Sequence, residues 1–170
     1  MIKKLFLIGG ASGTGKTAIC KHIAGKINSL VALDGDVLWS CGNFSPEKTE
    51  DFYAFVLRLC AEIEESDVYV AVFHAGAGVP ENIENCAERK LFDEVHYLGL
   101  YCGDEDLEKR LRARPEWQAA NPDGFINAMK GFNAMYRFYH DNTHMDKIDT
   151  GAVSIDESSK QVIDWIFKYI

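Results

Sequence analysis

The chain begins with an apolar run that leads straight into a cluster of glycines. Residues 5–8 read LFLI, and four glycines lie within the seven positions from Gly9 to Gly15. Glycine weakens the interior of both helices and strands, so a cluster here must serve another purpose. A short, wholly apolar run is typical of a strand buried on both faces. Isoleucines then recur every fourth position from Ile19, which predicts a helix over residues 17–27.

The glycine-rich segment matches a phosphate-binding pattern. Residues 10–17, GASGTGKT, fit G-x-x-x-x-G-K-[ST]. In such a loop the glycines let successive backbone N–H groups face an anion, and the helix N-terminus adds its positive end. We expect Lys16 to reach the β- and γ-phosphates of a nucleoside triphosphate and the Thr17 hydroxyl to bind Mg²⁺. The predicted nucleotide-binding residues of this segment are Gly10, Ala11, Ser12, Gly13, Thr14, Gly15, Lys16, Thr17 and Ala18.

Strand-like and helix-like segments alternate along the whole chain. After the first strand, further strands are predicted at 30–33, 68–73, 95–102 and 147–150. Helices are predicted at 17–27, 49–65, 80–91, 104–114, 124–139 and 157–170. This alternation predicts right-handed β-α-β units and a parallel sheet covered on both faces, in a single domain spanning residues 1–170. Ligands of such sheets bind at the carboxyl ends of the strands.

Two aspartates follow the second predicted strand, in the stretch ALDGDVLW. Asp34 and Asp36 are two residues apart, so in extended geometry their carboxylates share one face. One could hold Mg²⁺ through water, and the other could accept the proton of a substrate hydroxyl. Asp and Gly are also common in solvated turns, but the position at the ligand edge favours a functional pair.

The third predicted strand ends in a histidine rather than an acidic residue. His74 begins the stretch HAGAG, in which Gly76 and Gly78 would let a ligand approach the backbone. An ATPase or GTPase would normally have a metal-binding aspartate at this strand end. Its absence shifts the metal role toward Asp34 or Asp36. His74 could bind a substrate hydroxyl or phosphate, or it could be structural, and the sequence leaves both open.

Three arginines lie on the predicted helix after the fourth strand, in LEKRLRARPEW. Arg110 and Arg114 are four residues apart and share a helical face, whereas Arg112 points elsewhere. Arginines stabilise the charge of a migrating phosphoryl group and bind phosphates in bidentate fashion. A solvated face paired with neighbouring acids is the alternative. The turn-rich residues 115–124 are expected to form a lid that excludes water.

Aromatic side chains invite a base-stacking role, but most have a simpler explanation. Phe125, Phe132, Tyr136 and Tyr139 fall on one predicted helical stripe, and such stripes are more often core. Trp39 and Trp117 are better candidates for the pocket, since they flank the predicted acceptor site and lid. The sequence leaves open whether the stripe contacts substrate.

The composition of the chain indicates which classes of partner it can bind. The net charge is −8, which argues against a nucleic-acid surface because phosphate backbones bind clustered Lys and Arg. No stretch approaches the ~20 apolar residues of a membrane span. Five scattered cysteines without a C-x-x-C pair indicate reduced thiols and a cytoplasmic protein. We expect a small-molecule partner and a monomer or homodimer.

These segments together resemble the small P-loop phosphotransferases that include shikimate kinase, gluconate kinase and adenylylsulfate kinase. GGASGTGKT, LDGD, LEKRLRARP and KIDTGAVSIDESSKQVIDWI come in that group's order, so the resemblance covers nearly the whole chain. It implies an α/β, three-layer P-loop NTPase fold with a five-stranded parallel sheet in the order 2-3-1-4-5, helices on both faces and a lid. It also implies adenine near Asp149, Thr150 and Gly151, with Asp34 on the metal side and Asp36 on the substrate side.

These observations predict an ATP- and Mg²⁺-dependent kinase that transfers the γ-phosphoryl group to a hydroxyl or phosphate of a small molecule. Its predicted catalytic residues are Lys16, Asp36, Arg110 and Arg114. Its predicted substrate residues are Asp34, Asp36, Trp39, His74, Gly76 and Arg114. A nucleotide-dependent ATPase or switch acting on a protein partner is the alternative. The acceptor, the choice between ATP and GTP, and the oligomeric state stay open.

Overall fold

One parallel sheet organises the chain, for which a computed structural model describes residues 2–114, 122–139 and 144–170. Within these residues the strands are β1 (Lys4–Gly10), β2 (Leu30–Asp34), β3 (Tyr69–Phe73), β4 (Glu94–Tyr101) and β5 (Asp146–Asp149). The order across the sheet is β2-β3-β1-β4-β5, and every neighbouring pair is parallel. The predicted strand number, direction and order are confirmed.

Helices connect the strands and cover both faces of the sheet. Those in the described residues are α1 (Lys16–Ile23), α2 (Gly35–Cys41), α3 (Thr49–Glu64), α4 (Pro80–Glu84), α5 (Asp104–Arg112), α6 (Pro122–Arg137) and α7 (Ile155–Ile166). Short 3₁₀ turns lie at Pro46–Lys48 and Ala87–Leu91. None of these helices is both long enough and apolar enough to cross a lipid bilayer.

The central strand β1 supplies both hydrophobic cores. Leu5 and Leu7 pack on the side covered by α3 and α6, whereas Phe6 and Ile8 pack on the side covered by α1 and α7. All four side chains are fully buried. Because successive side chains of a strand point to opposite faces, an unbroken apolar run is what a strand between two layers requires. Each such side chain contributes ~1.5–3 kcal/mol through burial. The rigid strand fixes the start of the glycine-rich loop.

Several helix boundaries differ from those predicted. The predicted helix 17–27 ends at Ile23, and Gly25 follows in the left-handed conformation with φ of 72°. The predicted helix 80–91 is two short pieces, because Cys86 has an extended backbone with ψ of 136°. Helix α2 was not predicted at all. Isolated sequence periodicity is weakest for such short elements.

The predicted lid at 115–124 falls mainly outside the described residues. Residues 115–121 are not described, and Pro122, Asp123 and Gly124 form the first turn of α6. Trp117, predicted to flank the acceptor site, also lies outside the described residues. The lid therefore stays a prediction.

Candidate nucleotide and acceptor site

The glycine-rich loop joins β1 to α1 and leaves the start of that helix uncapped. Gly13 and Gly15 have φ of 95° and 99°, a left-handed conformation that favours glycine. Gly15 is the N-cap of α1, so no side chain caps the helix, and its first turn carries no acidic residue. The first-turn N–H groups of a helix have no partner within the helix, and they favour an anion. The loop is thus suited to phosphate.

Lys16 brings a buried positive charge to this loop. Its side chain is 4% exposed, and Nζ donates to the carbonyl oxygens of Gly10 at 2.8 Å and Ala11 at 3.2 Å. The Thr14 hydroxyl donates to the same Ala11 oxygen at 2.9 Å. Burial lowers the pKa of Lys16, opposed by the nearby Asp36 carboxylate. A phosphate beside this ammonium would restore the stabilisation lost on desolvation.

Arg110 ties the loop to the segment after β5. Its Nη2 donates to the carbonyl oxygens of Thr150 at 2.5 Å and Gly151 at 3.0 Å, and Nη1 donates to that of Gly13 at 3.3 Å. The buried Thr150 hydroxyl donates to the Thr14 carbonyl oxygen at 2.8 Å. These bonds hold Arg110 across the two loops, and its predicted action on the transferring group stays a prediction.

A cleft of about 280 Å³ lies between these loops and α7. Its lining includes Gly13, Thr14, Gly15, Ala18, Ile19, Arg110, Arg114, Thr150, Val153, Ile155 and Ser158. The cleft therefore brings Thr150, predicted on the adenine side, next to the phosphate loop and Ala18. Asp149 accepts a hydrogen bond from the Gly151 N–H at 2.8 Å and so shapes the same turn.

Arg114 and Arg112 differ in surroundings although both follow the same helix. Arg114 lies two residues beyond the end of α5 and lines the cleft, and its charge lowers the pKa of Lys16. Arg112 is exposed and pairs with Glu108 at 2.8 Å and Asp123 at 2.6 Å. Only Arg114 and Arg110 are therefore placed to meet a phosphate.

The Asp34–Asp36 pair is not extended, which corrects the geometry expected from its spacing. Asp34 ends β2 and caps α2, since its Oδ1 accepts from the N–H groups of Asp36 at 3.1 Å and Val37 at 3.4 Å. Asp36 lies in the first helical turn. Its Oδ2 is 3.9 Å from Lys16 Nζ, and its Oδ1 accepts from Ala75 N–H at 3.4 Å. A helix start thus separates the two carboxylates into a capping group and a group facing Lys16.

Gly35, between the aspartates, is a positioning residue that the sequence patterns did not reveal. An added Cβ at Gly35 would lie 2.6 Å from the Cβ of His74 and 3.2 Å from the carbonyl oxygen of Phe73. The missing side chain lets α2 begin directly against the end of β3. The only signal in the sequence was its position between two candidate site residues.

His74 is held in one tautomer beside Asp36. Its Nδ1 accepts from the Gly76 N–H at 3.3 Å, which places the imidazole proton on Nε2. That Nε2 is 3.8 Å from Asp36 Oδ1, beyond hydrogen-bonding distance. The ring stacks on Trp39 at 5.8 Å and contacts Phe52 at 4.7 Å between centroids. Burial lowers the pKa of His74 to about 4, so the imidazole is neutral at pH 7.

The loop after β3 is fixed by polar contacts from two helices. The Asn82 amide donates to the Gly76 carbonyl oxygen at 2.9 Å and to the Tyr53 hydroxyl at 3.3 Å. A Cβ at Gly76 would collide with that hydroxyl. The Tyr136 hydroxyl donates to the Ala75 carbonyl oxygen at 2.5 Å. Neither Tyr53 nor Asn82 was predicted; the contact between them joins residues 29 positions apart in sequence.

The predicted aromatic stripe on α6 mainly fills the core. Tyr136 is fully buried, and Phe132 packs against the cluster around β1. Phe125 packs on a smaller cluster with Ile126. The Tyr139 hydroxyl donates to Glu81 at 2.6 Å. Trp39 is instead half-buried, stacked on His74 and packed against Phe44 and Phe52.

The predicted metal residues fit Mg²⁺ as a nucleotide-bound ion. The hydroxyl of Thr17 is half-buried at the start of α1, and one oxygen of Asp34 is left after it caps α2. Within residues 2–114, 122–139 and 144–170 no group of three or more His, Cys, Asp or Glu side chains is arranged to hold a metal. Mg²⁺ commonly takes one or two protein oxygens together with substrate phosphates and water. The residues present suit that mode of binding.

Comparisons with known proteins show the fold. No protein-family model matches the sequence, and no curated protein matches it. The structure is similar to shikimate kinase from Acinetobacter baumannii in complex with shikimate (TM-score 0.60, 18% identity, 99% of this chain and 94% of that one). It is similar to the Mycobacterium tuberculosis APS kinase in complex with AMPPNP and APS (TM-score 0.65, 18% identity, 97% of this chain and 98% of that one). It is also similar to a gluconokinase from Sinorhizobium meliloti (TM-score 0.60, 14% identity, 99% of this chain and 99% of that one). The five-stranded parallel sheet and the helices on both its faces, which the motif resemblance implies, are confirmed.

Proposed function

We propose that this chain is an ATP- and Mg²⁺-dependent kinase that phosphorylates a small molecule. The observation that carries the proposal is the distance of 3.9 Å between Lys16 Nζ and Asp36 Oδ2. Lys16 would bind the phosphates of the donor, and the neighbouring Asp36 carboxylate would take the proton from the acceptor. The structural neighbours, which are kinases of small molecules and include an APS kinase in complex with AMPPNP, support this assignment.

The donor phosphates would bind along the loop from Gly10 to Thr17. The loop N–H groups and Lys16 hold the β- and γ-phosphates, and Arg114 neutralises charge that develops during transfer. Arg110 keeps the loop and the turn at Thr150 in register. Thr17 and Asp34 would hold Mg²⁺, which would supply neutralisation of the triphosphate's negative charge.

The chemical step is a direct transfer in line. The acceptor oxygen forms a bond to the γ-phosphorus while the bond from that phosphorus to the β–γ bridging oxygen breaks, and ADP leaves. Asp36 accepts the acceptor's proton. No covalent enzyme intermediate is required, because positioning and charge stabilisation supply most of the catalysis.

A transfer assay separates this proposal from a protein-directed ATPase or switch. The test follows [γ-³³P]ATP in the presence and absence of a small-molecule cell extract, with wild type and Asp36→Asn. We expect labelled acceptor with wild type and about 10²-fold less with Asp36→Asn, because a positioned base contributes that order of rate. Release of inorganic phosphate at the same rate with and without extract, and no labelled acceptor, would support the alternative instead.

A further inference from the structure

Three glycines outside the phosphate-binding pattern surround the side chain of Tyr136. Gly9 lies near the end of β1, Gly78 lies after β3, and Gly99 lies in β4. A Cβ at Gly9 would collide with the Tyr136 hydroxyl, and one at Gly99 would lie 2.8 Å from Tyr136 Cδ1. A Cβ at Gly78 would lie 2.6 Å from the backbone nitrogen of Gly9. The missing side chains therefore let the phenol reach the point where β1 meets the loop after β3.

Tyr136 is fully buried between two loops of the site. Its hydroxyl donates to the Ala75 carbonyl oxygen at 2.5 Å. Burial raises the pKa of Tyr136 well above its ordinary value, and the nearby N–H groups of Gly10 and Gly78 oppose this rise. The phenol is therefore protonated at neutral pH and acts as a donor. Because Gly10 belongs to the phosphate loop and Gly78 to the loop after β3, one hydroxyl adjoins both loops.

The backbone of Ala75 is bonded to both sides of the site. Its carbonyl oxygen also accepts from the Gly10 N–H at 3.4 Å, and its own N–H donates to Asp36 Oδ1 at 3.4 Å. Both distances exceed the ~2.7–3.2 Å that is usual for N–H···O bonds, so these two bonds constrain Ala75 weakly. The bond from Tyr136, at 2.5 Å, is the shortest of the three. The tyrosine therefore contributes most to fixing Ala75 between Gly10 and Asp36.

Helix α6 presents Tyr136 from a fixed position. One turn earlier on this helix, Asn133 is fully buried and bonds to the backbone of Cys102, which directly follows β4. The Asn133 Oδ1 accepts from the Cys102 N–H at 3.1 Å, and Nδ2 donates to the Cys102 carbonyl oxygen at 2.8 Å. This pair of bonds fastens α6 to the carboxyl edge of the sheet. The Tyr136 hydroxyl thus comes from a rigid element, which is what the precise support of a site requires.

The position of Ala75 matters because of Asp36. The Asp36 Oδ1 accepts from the Ala75 N–H, while its Oδ2 lies 3.9 Å from Lys16 Nζ. Phosphoryl transfer depends mainly on positioning, and a misplacement of ~1 Å can cost on the order of 10²-fold in rate. A shift of the Ala75 backbone would move this carboxylate relative to the phosphate loop.

We propose that Tyr136 is a positioning residue: through Ala75, its hydroxyl keeps Asp36 in register with the phosphate loop. This inference rests on the proposed kinase function and deepens it, because it adds a residue that acts through the backbone. Since Tyr136 is fully buried, its hydroxyl affects the rate of transfer and not the binding of ATP. The same role accounts for the glycines at positions 9, 78 and 99, which give the phenol access to the two loops.

Removal of a single hydroxyl tests the proposal, and a second buried tyrosine provides the matched control. Tyr97 is 3% exposed in the same hydrophobic core, and its hydroxyl donates to Glu84 at 2.6 Å. Wild type, Tyr136→Phe and Tyr97→Phe are assayed with Mg²⁺, varied [γ-³³P]ATP and a fixed amount of ultrafiltered small-molecule cell extract. Urea unfolding at the assay temperature gives the folded fraction by which each apparent kcat is corrected.

We expect the two variants to differ in kcat and to agree in KM for ATP. Tyr136→Phe should lower the apparent kcat by about 10-fold, less than for a full misplacement because the other bonds of Ala75 remain. Its KM for ATP should stay within twofold of wild type. Tyr97→Phe should keep both values within twofold. Equal falls of kcat in both variants would show a general effect of losing a buried hydroxyl and would overturn the inference.

A double variant tests whether Tyr136 acts through Asp36. Residues that act as a unit have non-additive effects, so Tyr136→Phe should lower kcat less than threefold when Asp36→Asn has already removed the base. The same 10-fold fall in both backgrounds would contradict a role through Asp36. If wild type forms labelled product and Tyr136→Phe keeps kcat within twofold, the inference fails and the kinase proposal stands. No labelled product with wild type would refute the kinase proposal itself.

Discussion

The phosphate side and the acceptor side of the site differ in the chemical groups that line them. On the phosphate side, backbone N–H groups and three cations surround the loop of residues 10–17. On the acceptor side, Asp36, a neutral His74 and aromatic rings lie at the ends of β2 and β3. The first side is suited to a highly charged group, whereas the second presents one carboxylate and one neutral imidazole. This difference teaches that donor and acceptor can be recognised independently, by separate strand ends of one sheet.

Of the substitutions that test the difference between the two sides, we expect a substitution of Lys16 to have the largest effect on kcat. Lys16→Ala removes the buried ammonium that bonds to the loop and faces Asp36. We expect kcat to fall by roughly 10³-fold, because a preorganised charge at the transferring group is worth this order. Steady-state transfer kinetics measure it. Lys21→Ala, an exposed change on the same helix, should leave kcat within twofold; a similar fall in both variants would contradict the assignment.

Asp36 provides the matching experiment on the other side. Asp36→Asn keeps the shape but removes the base, so kcat should fall by about 10²-fold. The affinity for Mg·AMPPNP should change less than threefold, since the acceptor side is separate from the nucleotide side. Calorimetry and transfer rates measure the two quantities. The control is Asp164→Asn, an exposed residue paired with Lys160. Equal losses of nucleotide affinity and kcat would show that the two sides are not independent.

The prediction from sequence succeeded unequally for these two sides. The phosphate loop, the sheet order and Lys16 were predictable, because a contiguous motif and repeated apolar runs encode them locally. The start of α2 at Gly35 was not predicted, and it changes what the two aspartates do. The contacts of Asn82 with Tyr53 and of Arg110 with Thr150 join distant parts of the chain. Short-range patterns carry no information about such contacts.

Gly35 offers a stability experiment on the acceptor side. In Gly35→Ala the new Cβ would lie 2.6 Å from the Cβ of His74, so α2 or β3 must shift. We expect the free energy of unfolding to fall by about 1–3 kcal/mol, as for overpacking elsewhere. Gly131→Ala is the matched control, since nothing lies within 4 Å of that Cβ on α6. It should raise stability by about 0.5–1 kcal/mol. Urea unfolding measures both, and equal stabilities would contradict the packing of Gly35 on His74.

The pH dependence of stability should reveal the buried histidine. Burial lowers the pKa of His74 to about 4 from 6.5, so between these values the unfolded chain binds the proton that the folded chain rejects. Its contribution to stability is therefore lost as pH falls from 7. Between pH 7 and pH 5.5 we expect the free energy of unfolding of His74→Gln to fall by about 1 kcal/mol less than that of the wild type.

The readout for His74 is a difference between variants, because other groups titrate in the same range. Burial raises the pKa of Glu64 to about 7, which acts in the opposite direction. Urea unfolding of wild type, His74→Gln and His22→Gln at both pH values isolates the effect. The His22 variant, half-exposed beside Asp156, is the control for removing a histidine outside the buried site. An unchanged slope in His74→Gln would mean that the imidazole is not buried as a neutral group.

The most direct test is calorimetric titration of Mg·AMPPNP into wild type and Lys16→Ala. The account predicts saturable one-site binding to wild type, and at least about tenfold weaker binding to the variant, since a charge-assisted contact to phosphate contributes ~1.5–3 kcal/mol. Absence of binding to wild type, or equal affinity for both proteins, would contradict the claim that residues 10–17 hold a triphosphate.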